Sequence, residues 1–182
     1  MAEDAYTDRR RRLQARLRTI DADAVICAPS RNLQYLTGLE MEPSERHFLL
    51  VVPASGPPTA LVPALEETAV RETTSVAAVY TWRDDDDPRA AVRSLLTSVG
   101  VRGGRLLVDD TMWAQFTQDL RAVAPDATWG LASEALTALR ITKDESELDA
   151  LRAAAAAADA TVEDLRARDD VIGTTEAALA AW

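Results

Sequence analysis

Hydrophobic positions along the first 130 residues or so keep two alternating rhythms. Tyr6, Arg10, Leu13, Leu17 and Ile20 follow a helical period, which predicts a helix over 5–20, broken by Asp21-Ala22-Asp23. Ala24 to Ala28 is a continuous apolar run that Pro29 ends, the mark of a buried strand. Arg31 to Thr37 reads as a short helix stopped by Gly38, and Leu39 to Glu45 as a polar loop carrying Pro43. Phe48–Val52 and Thr59–Val62 read as strands joined through the turn signal Ser55-Gly56-Pro57-Pro58, hence a hairpin. Helix over 65–72, strand over 76–80, helix over 90–99, strand over 105–108, helix over 112–123 and a short strand over 127–129 follow. Strands alternating with helices imply βαβ units and a mostly parallel sheet. Residues 1–135 are therefore expected to form one three-layer α/β domain.

The rhythm then changes. Thr142-Lys143-Asp144-Glu145 has the form of a capping box, a hydroxyl at the helix start with a Glu three residues on. Leu148, Leu151, Ala155, Ala158, Val162 and Leu165 then make one apolar stripe on a helix expected over 144–167. Gly173-Thr174-Thr175-Glu176 opens another helix, and the sequence stops at Trp182, within two turns. So short a helix has little to hold it, so the chain is expected to be cut rather than finished; the alternative is a genuine C-terminal helical hairpin.

Composition narrows the function. Net charge is −10, which argues against nucleic acid as a partner, since phosphate binding needs a basic face. Of the 20 basic residues 19 are Arg, with Lys143 the sole lysine, and Asp outnumbers Glu 18 to 12. Such a balance suits a salt-adapted, high-GC organism such as a haloarchaeon and bears on solubility rather than activity. Arg9 to Arg12 are expected to form a solvated face balanced by nearby acids. They are followed by no apolar segment of a secretory signal. No apolar run nears the length of about eighteen residues that a membrane helix needs. The expected compartment is the cytoplasm. Cys27, the single cysteine, sits in an apolar strand and is expected to be a buried, unreactive thiol.

Chemistry-bearing motifs are sparse. One histidine, His47, stands in loop sequence with no paired carboxylates or further imidazoles spaced for a metal. Asp84-Asp85-Asp86-Asp87-Pro88 lacks the spacing of a calcium loop and reads as a helix start, Asp87 capping and Pro88 first in the helix. Asp109-Asp110 after an apolar strand has the look of a receiver-domain acidic pair, but that pair belongs after the first strand; Asp110 capping the next helix is the simpler expectation. Tyr35 is expected to be packed, its hydroxyl hydrogen-bonded. There is no nucleophile elbow and no phosphate loop.

Five stretches, in order, resemble the creatinase/prolidase (Xaa-Pro peptidase) family. They are Ala24 to Leu39, with its Asn32-Leu33-Gln34-Tyr35-Leu36-Thr37-Gly38 core; Ser44 to Val52; Leu61 to Glu66; Leu139 to Leu148; and Gly173 to Glu176. The resemblance implies a three-layer, ribonuclease-H-like mixed sheet with flanking helices over 1–135. It also implies that 136–182 is a linker and the first helices of a "pita-bread" metallopeptidase domain. In that family two Mn, Co or Zn ions are held by two Asp, one His and two Glu, all beyond the last of these stretches. No metal ligand and no catalytic residue is therefore assigned to this chain, and its parent is expected to be a dimeric, metal-dependent Xaa-Pro dipeptidase or aminopeptidase acting on proline-containing peptides. The chain alone is expected to be inactive, serving dimerisation and active-site access. A free-standing binding module of the same fold is the alternative, and an unrelated receiver-like domain a third. The candidate substrate-access loop comprises Gly38, Glu45, Arg46 and His47. The resemblance implies that Arg46 stands where the creatine-hydrolysing branch places an Arg on the substrate carboxylate; the plain alternative pairs Arg46 with Glu45 or Glu42.

Overall fold

The computed structural model describes residues 2–74, 76, 78–167 and 173–180. It divides into two compact units, 1–140 and 141–182.

In the first unit, helix α1 (Ala2–Thr19) leads to strand β1 (Ala24–Cys27), and helix α2 (Arg31–Thr37) leads to strands β2 (Leu49–Pro53) and β3 (Thr59–Pro63). A 3-10 turn (Ala64–Glu66), helix α3 (Glu67–Thr73) and strand β4 (Ala78–Trp82) come next. Helix α4 (Pro88–Ser98), strand β5 (Gly104–Val108), helix α5 (Ala114–Val123), strand β6 (Ala127–Leu131) and helix α6 (Ser133–Arg140) complete it. The six strands form one sheet in the order β4-β3-β2-β1-β5-β6. β2 runs antiparallel to both β1 and β3, and the other pairings are parallel. The sheet is thus mixed, and β2 is the one strand among the described residues that opposes the rest.

Period-two alternation sends neighbouring strand residues to opposite faces. Val25, Cys27, Leu50, Val52 and Leu107 join Leu13, Leu17, Leu33, Leu36 and Leu136 in one core. Ala24, Ile26, Leu49, Val51, Leu106 and Val108 join Leu95, Leu96, Phe116 and Leu120 in the other. Helices α1, α2, α3 and α6 therefore cover one face and α4 and α5 the other. The central strands are apolar throughout because both faces are covered.

Local chemistry fixes the element ends. Ser30 caps α2, its Oγ accepting from Leu33 N, and Gly38 closes the helix at φ 80° with its N–H on the Gln34 carbonyl. The next two orphan carbonyls are met from α1. Arg9 Nη1 donates to Tyr35 O at 3.3 Å and Arg10 Nη1 to Leu36 O at 2.8 Å. Arg10 is 5% exposed, so the solvated face expected of the arginine run holds for Arg11 and Arg12 but not for Arg10. Cations at a helix C-terminus satisfy the free carbonyls and the dipole together. Asp87 caps α4 by accepting from Arg89 N, with Pro88 at the first helical position, as the sequence predicts. Asp110 does not cap the following helix: its Oδ2 accepts from Ser133 N, at the start of α6, at 3.0 Å. Cys27 is buried, and desolvation pushes its thiol well above the ordinary value.

In the second unit, helix α7 (Glu145–Ala167) and helix α8 (Glu176–Leu179) fall where the periodicity puts them. The capping box sits two residues later than expected. Asp144 Oδ1 accepts from Glu147 N at 2.9 Å, and Glu147 Oε2 accepts from Asp144 N at 3.0 Å. An acid at the cap and a Glu at the third position satisfy the same two donors. Thr175 caps α8 by accepting from Ala178 N.

Candidate functional site

Because β2 alone opposes the other described strands, its start lies at the edge where β1, β3, β4, β5 and β6 end. Loop 38–47, which feeds β2, is thereby brought to the carboxyl edge of the sheet. At that edge β1 passes to α2 on one face while β5 passes to α5 on the other. Such a divergence opens a crevice between the two strand ends, the usual place for a ligand in an open α/β sheet. A pocket of about 110 Å³ lies there, with Pro29 and Ser30 from the end of β1, Pro43 from the loop, and Asp109, Trp113 and Phe116 from beyond β5.

Asp109 ties the two strand ends together. Its Oδ2 accepts from Ala28 N at 3.1 Å and Ser30 Oγ at 2.7 Å, and its Oδ1 accepts from Asn32 Nδ2 at 2.6 Å. Asn32 Oδ1 accepts in turn from Arg140 Nη1 at 2.7 Å. Burial raises the Asp109 carboxyl above its ordinary value, against the pull of these donors. Its oxygens are committed to the fold rather than offered to a phosphoryl group. Tyr35 is buried, its hydroxyl donating to Leu139 O at 3.5 Å and its ring under the Arg9 guanidinium at 4.5 Å.

The candidate loop residues separate into two anchors and an exposed pair. Gly38 is the N-terminal anchor: a Cβ there would lie 2.7 Å from the Tyr6 ring. His47 is the other anchor and is 1% exposed. Its Nε2 lies 3.0 Å from Asp119 Oδ2, while Asp119 Oδ1 accepts from Arg89 Nε at 2.6 Å. Trp82 Nε1 donates to the His47 carbonyl at 2.8 Å, and the Phe116 ring lies 4.6 Å from the imidazole. Burial lowers the His47 value below 6.5, with Asp119 opposing it.

Between the anchors, Arg46 reaches out to Asp84, with Nε to Oδ1 at 2.8 Å and Nη2 to Oδ2 at 2.9 Å. The pair links the loop to the β4–α4 turn. Glu45 stands 3.4 Å from Arg46 Nη1 and is largely exposed. The hydrogen bond from Arg46 holds the Asp84 carboxyl below its ordinary value, and Asp84 raises that of Arg46. Asp84 is the partner that sequence reasoning missed. It lies 38 positions away, in an acidic run whose members are alike in sequence and differ only in what each one meets.

Among the described residues no three His, Cys, Asp or Glu side chains converge to hold a metal ion, and no helix among them is long and apolar enough to cross a membrane. The described residues thus offer no donor set that fits a hydrolytic metal centre.

Comparison with known proteins agrees with this architecture. The profile of the Creatinase/Prolidase N-terminal domain matches residues 9–142. The probable dipeptidase PepE of Mycobacterium tuberculosis is 36% identical over 161 residues, 86% of this chain and 42% of that protein. The chain thus spans under half the length of this curated relative. Among solved structures, a dipeptidase from Pyrococcus horikoshii OT3 superposes with a TM-score of 0.82 at 30% identity, over 88% of this chain and 44% of that one. A prolidase from Thermococcus sibiricus superposes with a TM-score of 0.86 at 27% identity, over 97% and 47%.

Proposed function

Since the chain belongs to the creatinase/prolidase N-terminal domain family, we propose that it is the non-catalytic amino-terminal part of a metal-dependent Xaa-Pro dipeptidase or aminopeptidase. The observation that carries this reading is the kinship with PepE, which covers most of this chain and 42% of that dipeptidase. Residues 1–135 are the family domain, and 136–182 are the linker and opening helices of a pita-bread peptidase domain. The metal, Mn, Co or Zn, would polarise a peptide carbonyl and supply hydroxide for hydrolysis before proline. Its ligands lie in the remainder of the parent, since the described residues here offer no such set.

On this reading the chain contributes dimerisation and access. The loop Gly38–His47, clamped at both ends, presents Arg46 to the partner subunit's substrate, where a guanidinium suits a peptide carboxylate. Cytoplasmic residence fits a lone buried thiol, and the Arg- and Asp-rich composition supports a salt-adapted host.

Reading the genomic DNA past codon 182 and assaying the encoded protein tests the proposal. It predicts two Asp, one His and two Glu downstream, and Mn-dependent cleavage of Xaa-Pro dipeptides. An open reading frame ending at Trp182 would favour a free-standing binding module.

A further inference from the structure

We infer that Asp84 is a positioning residue for Arg46, and that Glu45 is a built-in carboxylate which an incoming anionic ligand displaces. The inference rests on the reading of Arg46 given above and deepens it.

A guanidinium has five N–H donors arranged on two usable edges. Asp84 takes the side-on edge, Nε and Nη2, with both contacts at good hydrogen-bond length. A bidentate grip of this kind fixes the plane of the group as well as its place. The end-on edge, Nη1 with the second Nη2 hydrogen, points elsewhere. Glu45 stands 3.4 Å from Nη1, the guanidinium nitrogen that Asp84 does not contact, beyond ordinary hydrogen-bond length and with its side chain 73% exposed. One carboxylate therefore holds Arg46 and another merely accompanies it.

The surroundings support this division. Asp84 sits in the turn between β4 and α4, and the other acids of its run are engaged nearby. Asp86 accepts from Arg83 N, Asp87 caps α4, and Asp85 lies 3.6 Å from Arg83. Hydrogen bonds within the turn tie it to the start of α4, whereas Glu45 belongs to the loop itself. Removing Asp84 frees the guanidinium to swing, and an incoming carboxylate must then order it. Removing the charge of Glu45 leaves Arg46 oriented but without that nearby competitor, while Glu66 acts on Arg46 only through its charge. Asp84 and Glu45 should therefore act in opposite directions on the same ligand.

The test is steady-state kinetics of the full-length peptidase on an Xaa-Pro dipeptide and on its C-terminally amidated form. Exposed ion pairs of this class predict that Asp84→Asn raises KM for the free-acid dipeptide by about two- to fivefold with kcat unchanged. Glu45→Gln should lower it by about twofold. Neither variant should alter KM for the amide, and Asp84→Glu should restore part of the loss. In an Arg46→Gln background both effects should vanish. If Arg46→Gln raises KM while Asp84→Asn and Glu45→Gln leave it unchanged, or move it the same way, the inference is overturned and the role of Arg46 stands. If Arg46→Gln itself leaves KM unchanged, the reading of Arg46 fails and the inference falls with it.

Discussion

The ring of Tyr6 lies across Gly38 so closely that a Cβ there would stand 2.7 Å from Tyr6 Cζ. Gly38 also has φ at 80°, where an L side chain is strained. Gly38→Ala should therefore cost about 2–3 kcal/mol in a urea denaturation series. Gly100 has a similar φ of 73° but nothing within 4 Å. Gly100→Ala should cost only the backbone part, about 1 kcal/mol. Equal losses would mean that the Tyr6 contact contributes nothing.

His47 gives stability a pH dependence of definite sign. Burial holds its native value below the ordinary 6.5, so the unfolded chain takes up this proton first as pH falls. The contribution is complete above 6.5 and is lost as pH falls through the native value. The urea midpoint should drop less for His47→Gln than for the unaltered chain between pH 7.5 and 5. A parallel drop in both would show that His47 is not the group responsible.

Asp109 has the opposite sign. Its native value is raised above 3.8 by burial, so its protonation favours the fold below 3.8, and that benefit is lost as pH rises through the native value. At neutral pH its worth lies in the donors it receives. Asp109→Ala strands the Ala28 N–H, the Ser30 hydroxyl and the Asn32 amide and should cost about 1–3 kcal/mol. Hydrogen exchange should then rise at Ala28 and Leu33 before it rises in β2.

Arg10 meets the Leu36 carbonyl and Thr7 Oγ1. Arg10→Ala should destabilise by about 1–3 kcal/mol, whereas Arg12→Ala, at an exposed position, should stay within about 0.5 kcal/mol. Thermal denaturation of the two variants side by side measures the difference.

Periodicity made most of the fold legible, because strands buried on both faces and helices with one apolar side leave strong patterns. Helix α2 is predicted to the residue: Gly38 is the local signal that stops it, and the structure adds Ser30 as its cap. β4 lies two residues later than expected, because Trp82, 7% exposed, is drawn into the core beside α4. Helix α6 is not foreseen: its cap comes from Asp110, 23 residues earlier. The same limit governs the candidate loop. Its two ends show in sequence as Gly38 and His47, but Asp84 and Asp119 reach it from 38 and 72 positions away. Long-range pairings between residues of common type leave no local mark. The antiparallel course of β2, which places the loop at the carboxyl edge, is legible only as a hairpin.

The central proposal is that this chain does not hydrolyse a peptide by itself. Incubating the purified 182-residue chain with manganese and a prolyl dipeptide, with metal content measured after gel filtration, tests it most directly. The account predicts no cleavage and no retained metal; turnover, or manganese held in stoichiometric amount, would contradict it.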